Sequence, residues 1–186
     1  MTVVLHTCCG PCASACVPRL KRMGHDVTML FANSNIDTRE EFERRLAAAR
    51  KLAAAEAVPI EVIPYDHAEW LREVAAGYEN EPEKGRRCER CYRYNLAKAA
   101  AFARERGLDH FTTSLTVSPH KPSGKIFAAS DDPRFLKVDF KKEDGFKLSV
   151  RRAAELKLYR QNYCGCEFGK FAIGKFALAF QQSDMI

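Results

Sequence analysis

The sequence lacks any long hydrophobic run and any sign of a leader peptide. A transmembrane helix needs about 18 consecutive apolar residues, and no stretch of the 186 residues approaches that length. The chain passes from Met1 directly into Val3-Val4-Leu5, without the basic and apolar segments of a secretion signal. Internal repeats, low-complexity tracts and linkers are absent as well. We therefore expect one domain over residues 1–186, located in the cytoplasm and without a membrane partner.

Cysteine, by contrast, is abundant, with eight residues in the chain. Cysteines without a secretion signal are more typical of metal-binding or catalytic thiols in a reducing compartment than of a disulfide framework. A hydrophobic share of 46% is sufficient for a substantial core. The formal net charge of +6 favours a polyanionic partner only weakly, since solvated surfaces often carry such an excess.

Short β-rich runs alternate with helical segments. The predicted strands cover residues 3–8, 27–31, 60–65 and 111–117, and the predicted helices cover 13–23, a segment from 38 onward, 70–76, 88–106, 146–160 and 168–182. This alternation predicts a single α/β domain with a mostly parallel, Rossmann-like sheet and helices on both faces. Ligands of such sheets bind beyond the carboxyl ends of the strands. We expect a metal site there, since the first cysteine motif follows the first strand. The Ser-Gly-Gly-x-Asp-Ser loop of ATP pyrophosphatases is absent, so ATP is not expected.

The second helix carries a clear signal for its beginning. Thr38 and Glu41 form the T-x-x-E pattern of a capping box. Arg44, Arg45 and Arg50 alternate with glutamates along this helix, and we expect these arginines to be solvent-exposed and solubilising.

The cysteines fall into three groups: Cys8, Cys9, Cys12 and Cys16; Cys88 and Cys91; Cys164 and Cys166. Cys88 and Cys91 are three residues apart near a helix start, which places both sulfurs on one face. Gly165 permits a tight turn that would bring Cys164 and Cys166 toward a common point. At the positive end of the first helix, Cys12 is the best-placed thiol for a lowered pKa. Cys16 lies one turn further along and is expected in the core.

Three functions fit these groups. A thioredoxin-like disulfide oxidoreductase would use Cys9 and Cys12, and a zinc-stabilised RNA-binding module would use four of the eight cysteines. An iron–sulfur cluster needs four thiolates from anywhere in the fold. The residues Cys8, Cys9, Cys88 and Cys91 would supply them, which leaves Cys12, Cys164 and Cys166 as a second redox-active set. The last partition accounts for most of the cysteines.

Five motifs, in order along the chain, resemble the QueH family of epoxyqueuosine reductases: HTCCGPC at 6–12, NSNI at 33–36, GRRCERCY at 85–92, TTSLTVSPH at 112–120 and LYRQNYCGC at 158–166. The resemblance implies an oxidoreductase of tRNA processing that completes queuosine biosynthesis. It would reduce the epoxide of epoxyqueuosine, at the wobble position of tRNA, to an alkene without cobalamin. The sequence does not identify the electron donor.

The resemblance also implies roles for individual cysteines. Cys8, Cys9, Cys88 and Cys91 would hold a [4Fe-4S] cluster. Cys164 and Cys166 would form a redox-active disulfide or, with Cys12, bind a second iron. Some members of the family have aspartate at position 12, so Cys12 could replace a carboxylate ligand there.

The segment around Cys88 and Cys91 is rich in arginine and tyrosine. RNA recognition commonly combines phosphate contacts with stacking of an unpaired base, and we expect Arg87, Arg90 and Tyr92 to bind the substrate. Weaker candidates for phosphate contact are His120, Lys121, Lys125, Arg151 and Arg152. The epoxide oxygen must also be protonated, and the proton-donor candidates are Tyr65, Asp66, Tyr92, His6 and Tyr163. The phenylalanines from Phe168 to Phe180 read as a core-facing stripe.

Overall fold

The computed structural model describes residues 1–169, and its centre is a four-stranded sheet. The strands are β1 (Thr2–His6), β2 (Asp26–Phe31), β3 (Ile60–Val62) and β4 (His110–Thr113). All pairings are parallel, in the order β3-β2-β1-β4. The predicted α/β class with a parallel, Rossmann-like sheet is confirmed. The extension of one domain to residue 186 stays a prediction.

Helices cover both faces of the sheet. They are α1 (Gly10–Arg22), α2 (Arg39–Ala55), α3 (His67–Trp70) with a π-helical continuation at Leu71–Ala75, α4 (Arg86–Glu105), α5 (Ser123–Phe127) and α6 (Gly145–Glu155). Val3 and Leu5 of β1 face α1 and α2, whereas Val4 faces α4 on the opposite side. This alternation along a buried strand follows from the two-residue period of β structure. None of the helices within residues 1–169 is long and apolar enough to cross a membrane.

The first helix begins immediately after the first pair of cysteines. Cys9 is its N-cap residue and Pro11 lies in the first turn, where a missing N–H costs nothing. Gly10 is required by close packing, because a Cβ atom there would lie 2.7 Å from the carbonyl oxygen of Ala48 on α2. The two helices therefore approach each other at the end of the sheet that carries the cysteines.

Several predicted element bounds differ from the structure. The predicted strand over 111–117 ends at Thr113, whose hydroxyl accepts a hydrogen bond from the N–H of Leu115 and starts a 3₁₀ turn at Ser114–Val117. The predicted strand over 60–65 ends at Val62, and α6 ends at Glu155. The short helix α5 is not among the predicted helices. The predicted helix over 168–182 lies outside the described residues from position 170 onward.

Candidate functional site

A cavity of about 400 Å³ lies at the carboxyl ends of the strands. Cys8 and Cys9 reach it from the end of β1, and Asn33 and Asn35 reach it from the end of β2. Further lining residues come from α4, from the loop before α5 and from the C-terminal segment: Cys91, Tyr92, Asn95, Ser118, His120, Lys121 and residues 160–164. Segments distant in sequence thus meet where ligands of parallel sheets bind.

Three thiols of the first cysteine group form a compact cluster. The sulfur atoms of Cys8, Cys9 and Cys12 all lie within 4.8 Å of one another, and those of Cys8 and Cys9 are 3.9 Å apart. Within residues 1–169, this is the one group of three or more cysteine, histidine or carboxylate side chains packed so closely. Three convergent thiols suit a metal centre better than a two-cysteine thioredoxin motif, which would leave one of them unused.

Cys9, and not Cys12, occupies the positive end of α1. Its sulfur accepts a hydrogen bond from the backbone N–H of Cys12 over 3.4 Å. Interactions with Cys12 and Cys8 hold the pKa of the Cys9 thiol well below its usual range. The expectation that Cys12 has the lowered pKa is therefore wrong, because interactions with Cys8 and Cys9 raise its pKa well above the ordinary value.

Cys88, Cys91, Cys164 and Cys166 form a second neighbourhood beside this cluster. Burial raises the pKa of the Cys91 thiol, and the charges of Cys164 and Cys166 raise it further. Burial, and then Cys164, raise the pKa of Cys166 to about 12. Cys91 and Cys166 also pack against the same apolar group around Trp70. The pair Cys88 and Cys91 and the pair Cys164 and Cys166 are therefore neighbours in space, although about seventy positions separate them in the sequence.

Each of the four cysteines predicted to hold a cluster accepts a hydrogen bond at its sulfur. The donors are Ser114 Oγ to Cys8 at 3.3 Å, the N–H of Cys12 to Cys9 at 3.4 Å, the N–H of Lys84 to Cys88 at 3.2 Å and Asn95 Nδ2 to Cys91 at 3.5 Å. Hydrogen bonds to sulfur stabilise the thiolate form that metals bind. These four hydrogen-bonded sulfurs therefore fit a metal cluster that is bound by thiolates.

Cys16 differs from these four residues. Its thiol is buried among core side chains and donates a hydrogen bond to the carbonyl oxygen of Cys12. A thiol engaged as a donor inside the apolar core behaves as a small hydrophobe. This placement agrees with the expectation that Cys16 belongs to the core.

The arginines expected to contact phosphate are held by the protein itself. Arg87 is 2% exposed, and its Nη1 donates to the carbonyl oxygens of Tyr78, Glu79 and Glu81. Arg90 donates to the carbonyl oxygens of Glu73 and Val74. In this geometry both guanidinium groups fasten the segment before α4, so their substrate contact stays a prediction that the geometry does not favour.

Tyr92 is the third residue predicted to bind the substrate, and this role stays a prediction. Its side chain lines the cavity, and burial raises the pKa of its phenol. Tyr92 therefore stays protonated and can donate a hydrogen bond. Of the other proton-donor candidates, Tyr163 also lines the cavity, whereas the hydroxyl of Tyr65 donates to the carbonyl oxygen of Ile36.

Arg45 is a residue whose role the sequence analysis missed. Instead of solubilising the surface, it is 2% exposed, pairs with Glu41 and lines the cavity. The side chain of Glu41 therefore binds Arg45 and does not complete the expected capping box. Only Thr38 caps the helix, because its hydroxyl accepts a hydrogen bond from the N–H of Glu41. The signal was present in the sequence, because position 45 lies one turn from the apolar residues Phe42 and Ala49.

Basic side chains surround the opening of the cavity. Lys84, His120 and Arg160 are exposed, and Lys121 is half-buried between the cysteine groups. Burial alone would lower the pKa of Lys121, but the neighbouring thiols of Cys164 and Cys8 hold it well above its usual range. Lys121 therefore lies beside Cys8 and Cys164, and the rim of the cavity carries three exposed basic residues together with Glu83.

The fold and the site together define a Rossmann-like α/β protein with a cysteine-lined cavity. A solved structure described as a predicted subunit of tRNA methyltransferase from Methanocaldococcus jannaschii shares the fold, with a TM-score of 0.50 and 13% identity over 83% of this chain and 76% of the other. The family model for epoxyqueuosine reductase QueH matches residues 3–172. The chain therefore belongs to the QueH family, as its motifs indicate.

Relatives named epoxyqueuosine reductase QueH are similar over most of this chain. The epoxyqueuosine reductase QueH of Streptococcus pyogenes is 36% identical over 179 residues, which cover 90% of this chain and 69% of the relative. The QueH protein of Thermotoga maritima is 33% identical over 176 residues, which cover 90% of this chain and 89% of the relative.

Proposed function

We propose that this protein reduces epoxyqueuosine to queuosine in tRNA, as an iron–sulfur oxidoreductase that does not use cobalamin. The observation that carries this proposal is the convergence of three cysteine segments on one cavity, together with a hydrogen bond to each sulfur of the predicted ligand set. The family to which the chain belongs supplies the reaction.

The proposed ligands of a [4Fe-4S] cluster are Cys8, Cys9, Cys88 and Cys91. The four thiolates of such a cluster can come from any part of a fold, and these four come from two separate segments. Cys12, Cys164 and Cys166 would then form the second set, either as ligands of a mononuclear iron or with Cys164 and Cys166 as a redox-active dithiol. When bound, a cluster of this type supplies electrons one at a time.

The overall reaction consumes two electrons and two protons for each epoxide. Both carbon–oxygen bonds of the epoxide break, a carbon–carbon double bond forms, and the oxygen leaves as water. The electrons come from an external donor of unidentified nature. The protein must therefore hold the epoxide, exclude competing water and provide protons at the departing oxygen.

Two groups of this chain are placed for the last task. The phenol of Tyr92 stays neutral because of its burial, so it can donate a proton or a hydrogen bond into the cavity. The ammonium group of Lys121 stays charged beside Cys8 and Cys164, and it favours negative charge on an oxygen nearby. We propose Tyr92 and Lys121 as the pair that binds and protonates the epoxide oxygen.

The proposed macromolecular substrate is tRNA that carries epoxyqueuosine, in the reducing cytoplasm. An unpaired, modified base must leave its stack to reach a cavity of this kind. The basic rim formed by Lys84, His120 and Arg160 supplies charge for the phosphates beside that base.

The decisive experiment is anaerobic purification followed by quantification of iron and acid-labile sulfide. We expect iron and sulfide in about the 1:1 ratio of a [4Fe-4S] cluster, and loss of its absorption in Cys88→Ala and Cys91→Ala. Cys16→Ala is the matched control and should retain the cluster. A colourless protein that binds one zinc, or that reduces insulin without iron, would contradict the proposal.

A further inference from the structure

We propose that Arg45 is a positioning residue that holds the Cys164-Gly165-Cys166 turn against the carboxyl edge of the sheet. The functional meaning of this contact rests on the proposed function, in which the turn contributes thiols to the second set. The contact itself is independent of that function, because it is made by the protein alone.

Glu41 and Tyr159 fix the position of the Arg45 guanidinium. Nε of Arg45 donates to Oε1 of Glu41 over 2.7 Å, and both side chains are almost fully buried. The hydroxyl of Tyr159 donates to the other oxygen of Glu41 over 2.9 Å. Both oxygens of the Glu41 carboxylate therefore accept hydrogen bonds. The ion pair orients the two Nη atoms of Arg45 away from α2.

Those nitrogens point at the backbone of the cysteine turn. Nη1 donates to the carbonyl oxygen of Cys164 over 2.9 Å, and the guanidinium lies over the ring of Tyr163, 4.9 Å from its centroid. A lysine could keep the ion pair with Glu41, but it lacks the planar fork needed to bind the carboxylate and the carbonyl together. The arginine therefore connects α2 to the residue that bears a functional thiol.

Gly165 shows how closely the cysteine turn packs against Arg45 and Asn35. A Cβ atom at Gly165 would lie 3.0 Å from Nδ2 of Asn35 and 3.2 Å from Nη1 of Arg45. Its φ of +141° also disfavours any other residue. The carbonyl oxygen of Gly165 accepts a hydrogen bond from the N–H of Asp37 over 3.0 Å. Both sides of the turn are thus fixed by the protein.

A buried ion pair is an expensive way to gain stability alone. Taking Glu41 and Arg45 out of water costs free energy that their attraction only partly offsets, and apolar residues of similar size often stabilise a protein as well. The arginine instead supplies direction, because fixing the carbonyl of Cys164 limits where its sulfur can point within the cavity. Precise placement of this kind is what a redox or metal-binding thiol needs.

The test measures alkylation of individual cysteines in the metal-free, reduced full chain, with iodoacetamide and mass spectrometry. In Arg45→Lys we expect Cys164 and Cys166 to react roughly tenfold faster or more, as the loss of a charge-assisted hydrogen bond predicts. Cys16, which is buried in the core, should remain protected. Arg50→Lys, an exposed site on the same helix, is the matched control and should react like the wild type.

Gly165→Ala is a second variant. It leaves the Glu41–Arg45 pair in place and displaces the cysteine turn from Arg45 and Asn35. It should give the same selective increase, and the double variant should add little to either change. An equal increase at Cys16 would show that Arg45 only supports the whole fold, and no increase would show that the turn is held without it. Either result overturns the proposal.

The iron content of the anaerobically purified wild type separates this inference from the proposed function. If the wild type binds no iron but both variants expose Cys164 selectively, the proposed function fails and the positioning role of Arg45 stands. If iron binds and the alkylation rates do not change, the positioning role fails alone.

Discussion

Ser114 and Cys8 exchange two hydrogen bonds at the carboxyl ends of the neighbouring strands β4 and β1. The backbone N–H of Cys8 donates to Oγ of Ser114 over 3.0 Å, and the same hydroxyl donates to the sulfur of Cys8 over 3.3 Å. Ser114 is fully buried and follows β4, whereas Cys8 follows β1. One serine thus connects the ends of both strands and donates a hydrogen bond to a proposed cluster ligand.

We predict that Ser114→Ala lowers the reduction potential of the bound cluster while iron remains bound. A hydrogen bond to sulfur offsets the extra negative charge of the reduced state, so its loss favours the oxidised state. The measurement is a spectroscopic redox titration of the anaerobic protein. Ser130→Ala, on the loop after α5, is the control. An unchanged potential would show that the hydroxyl serves only the backbone of Cys8.

A second prediction concerns proton release on metal binding. Burial and neighbouring thiols raise the pKa of Cys91, and they raise that of Cys166 to about 12, so both are protonated in the metal-free protein near neutral pH. Metals bind thiolates, and binding must therefore displace these protons. We expect more than one proton released per Co²⁺, measured by calorimetry in buffers of different ionisation enthalpy. Release should fall in Cys91→Ala and stay unchanged in Cys16→Ala.

Release of no protons would contradict this prediction, because it would mean that the thiolates are already formed without metal. Apparent metal affinity should also increase with pH, since a higher pH makes deprotonation less costly. Cys9 is expected to contribute little to the release, because its pKa is already low.

The general architecture could be predicted from the sequence because hydrophobic pattern and helix signals are local. The parallel sheet and the helix that follows the first strand are predicted by such signals. The end of β4 could not be predicted in this way, because strand-forming residues continue after Thr113. In the structure the hydroxyl of Thr113 accepts a hydrogen bond from the N–H of Leu115, and this bond ends the strand. The strand propensities of the residues do not predict side-chain hydrogen bonds of this kind.

The roles of the arginines were the least predictable part of the site. Arg87 and Arg45 look alike in sequence, as charged residues on amphipathic helices. Whether either is free depends on carbonyl groups that tertiary structure brings to them, from Tyr78 in one case and from Cys164 in the other. The cysteines were more informative, because grouping of rare, metal-binding side chains constrains which segments must meet.

We predict that the basic rim binds tRNA through phosphate contacts. Arg160→Glu should weaken binding and reduce the dependence of affinity on salt, since each phosphate contact contributes about 0.7 to 0.9 to the slope of log K against log salt. Fluorescence anisotropy with labelled tRNA over a range of salt concentrations measures both. Arg50→Glu, exposed on α2, is the control with the same change of charge. Equal effects of the two variants would show that only the net charge matters.

The last prediction is a pH dependence of stability caused by His6. This side chain is fully buried beneath the cysteines, and its Nδ1 lies 2.9 Å from Oγ1 of Thr113. Nε2 has no hydrogen-bond partner within residues 1–169. Burial lowers the pKa of His6 below its ordinary value of 6.5, although the charge of Cys8 opposes part of this change. The native protein therefore contains a neutral imidazole at a pH where the unfolded chain already binds a proton.

The sign follows from proton linkage. Below about pH 6.5 the unfolded state binds more protons at His6 than the native state, so the free energy of unfolding falls as the pH falls, by up to about 1.4 kcal/mol per pH unit. Above that pH both states are neutral and this contribution is constant. Urea unfolding of the metal-free protein between about pH 5 and pH 8 should show the loss. His6→Gln should flatten the profile below pH 6.5 relative to the wild type, whereas His120→Gln, at the exposed rim, should keep it. A wild-type slope in His6→Gln would assign the acid sensitivity to other groups.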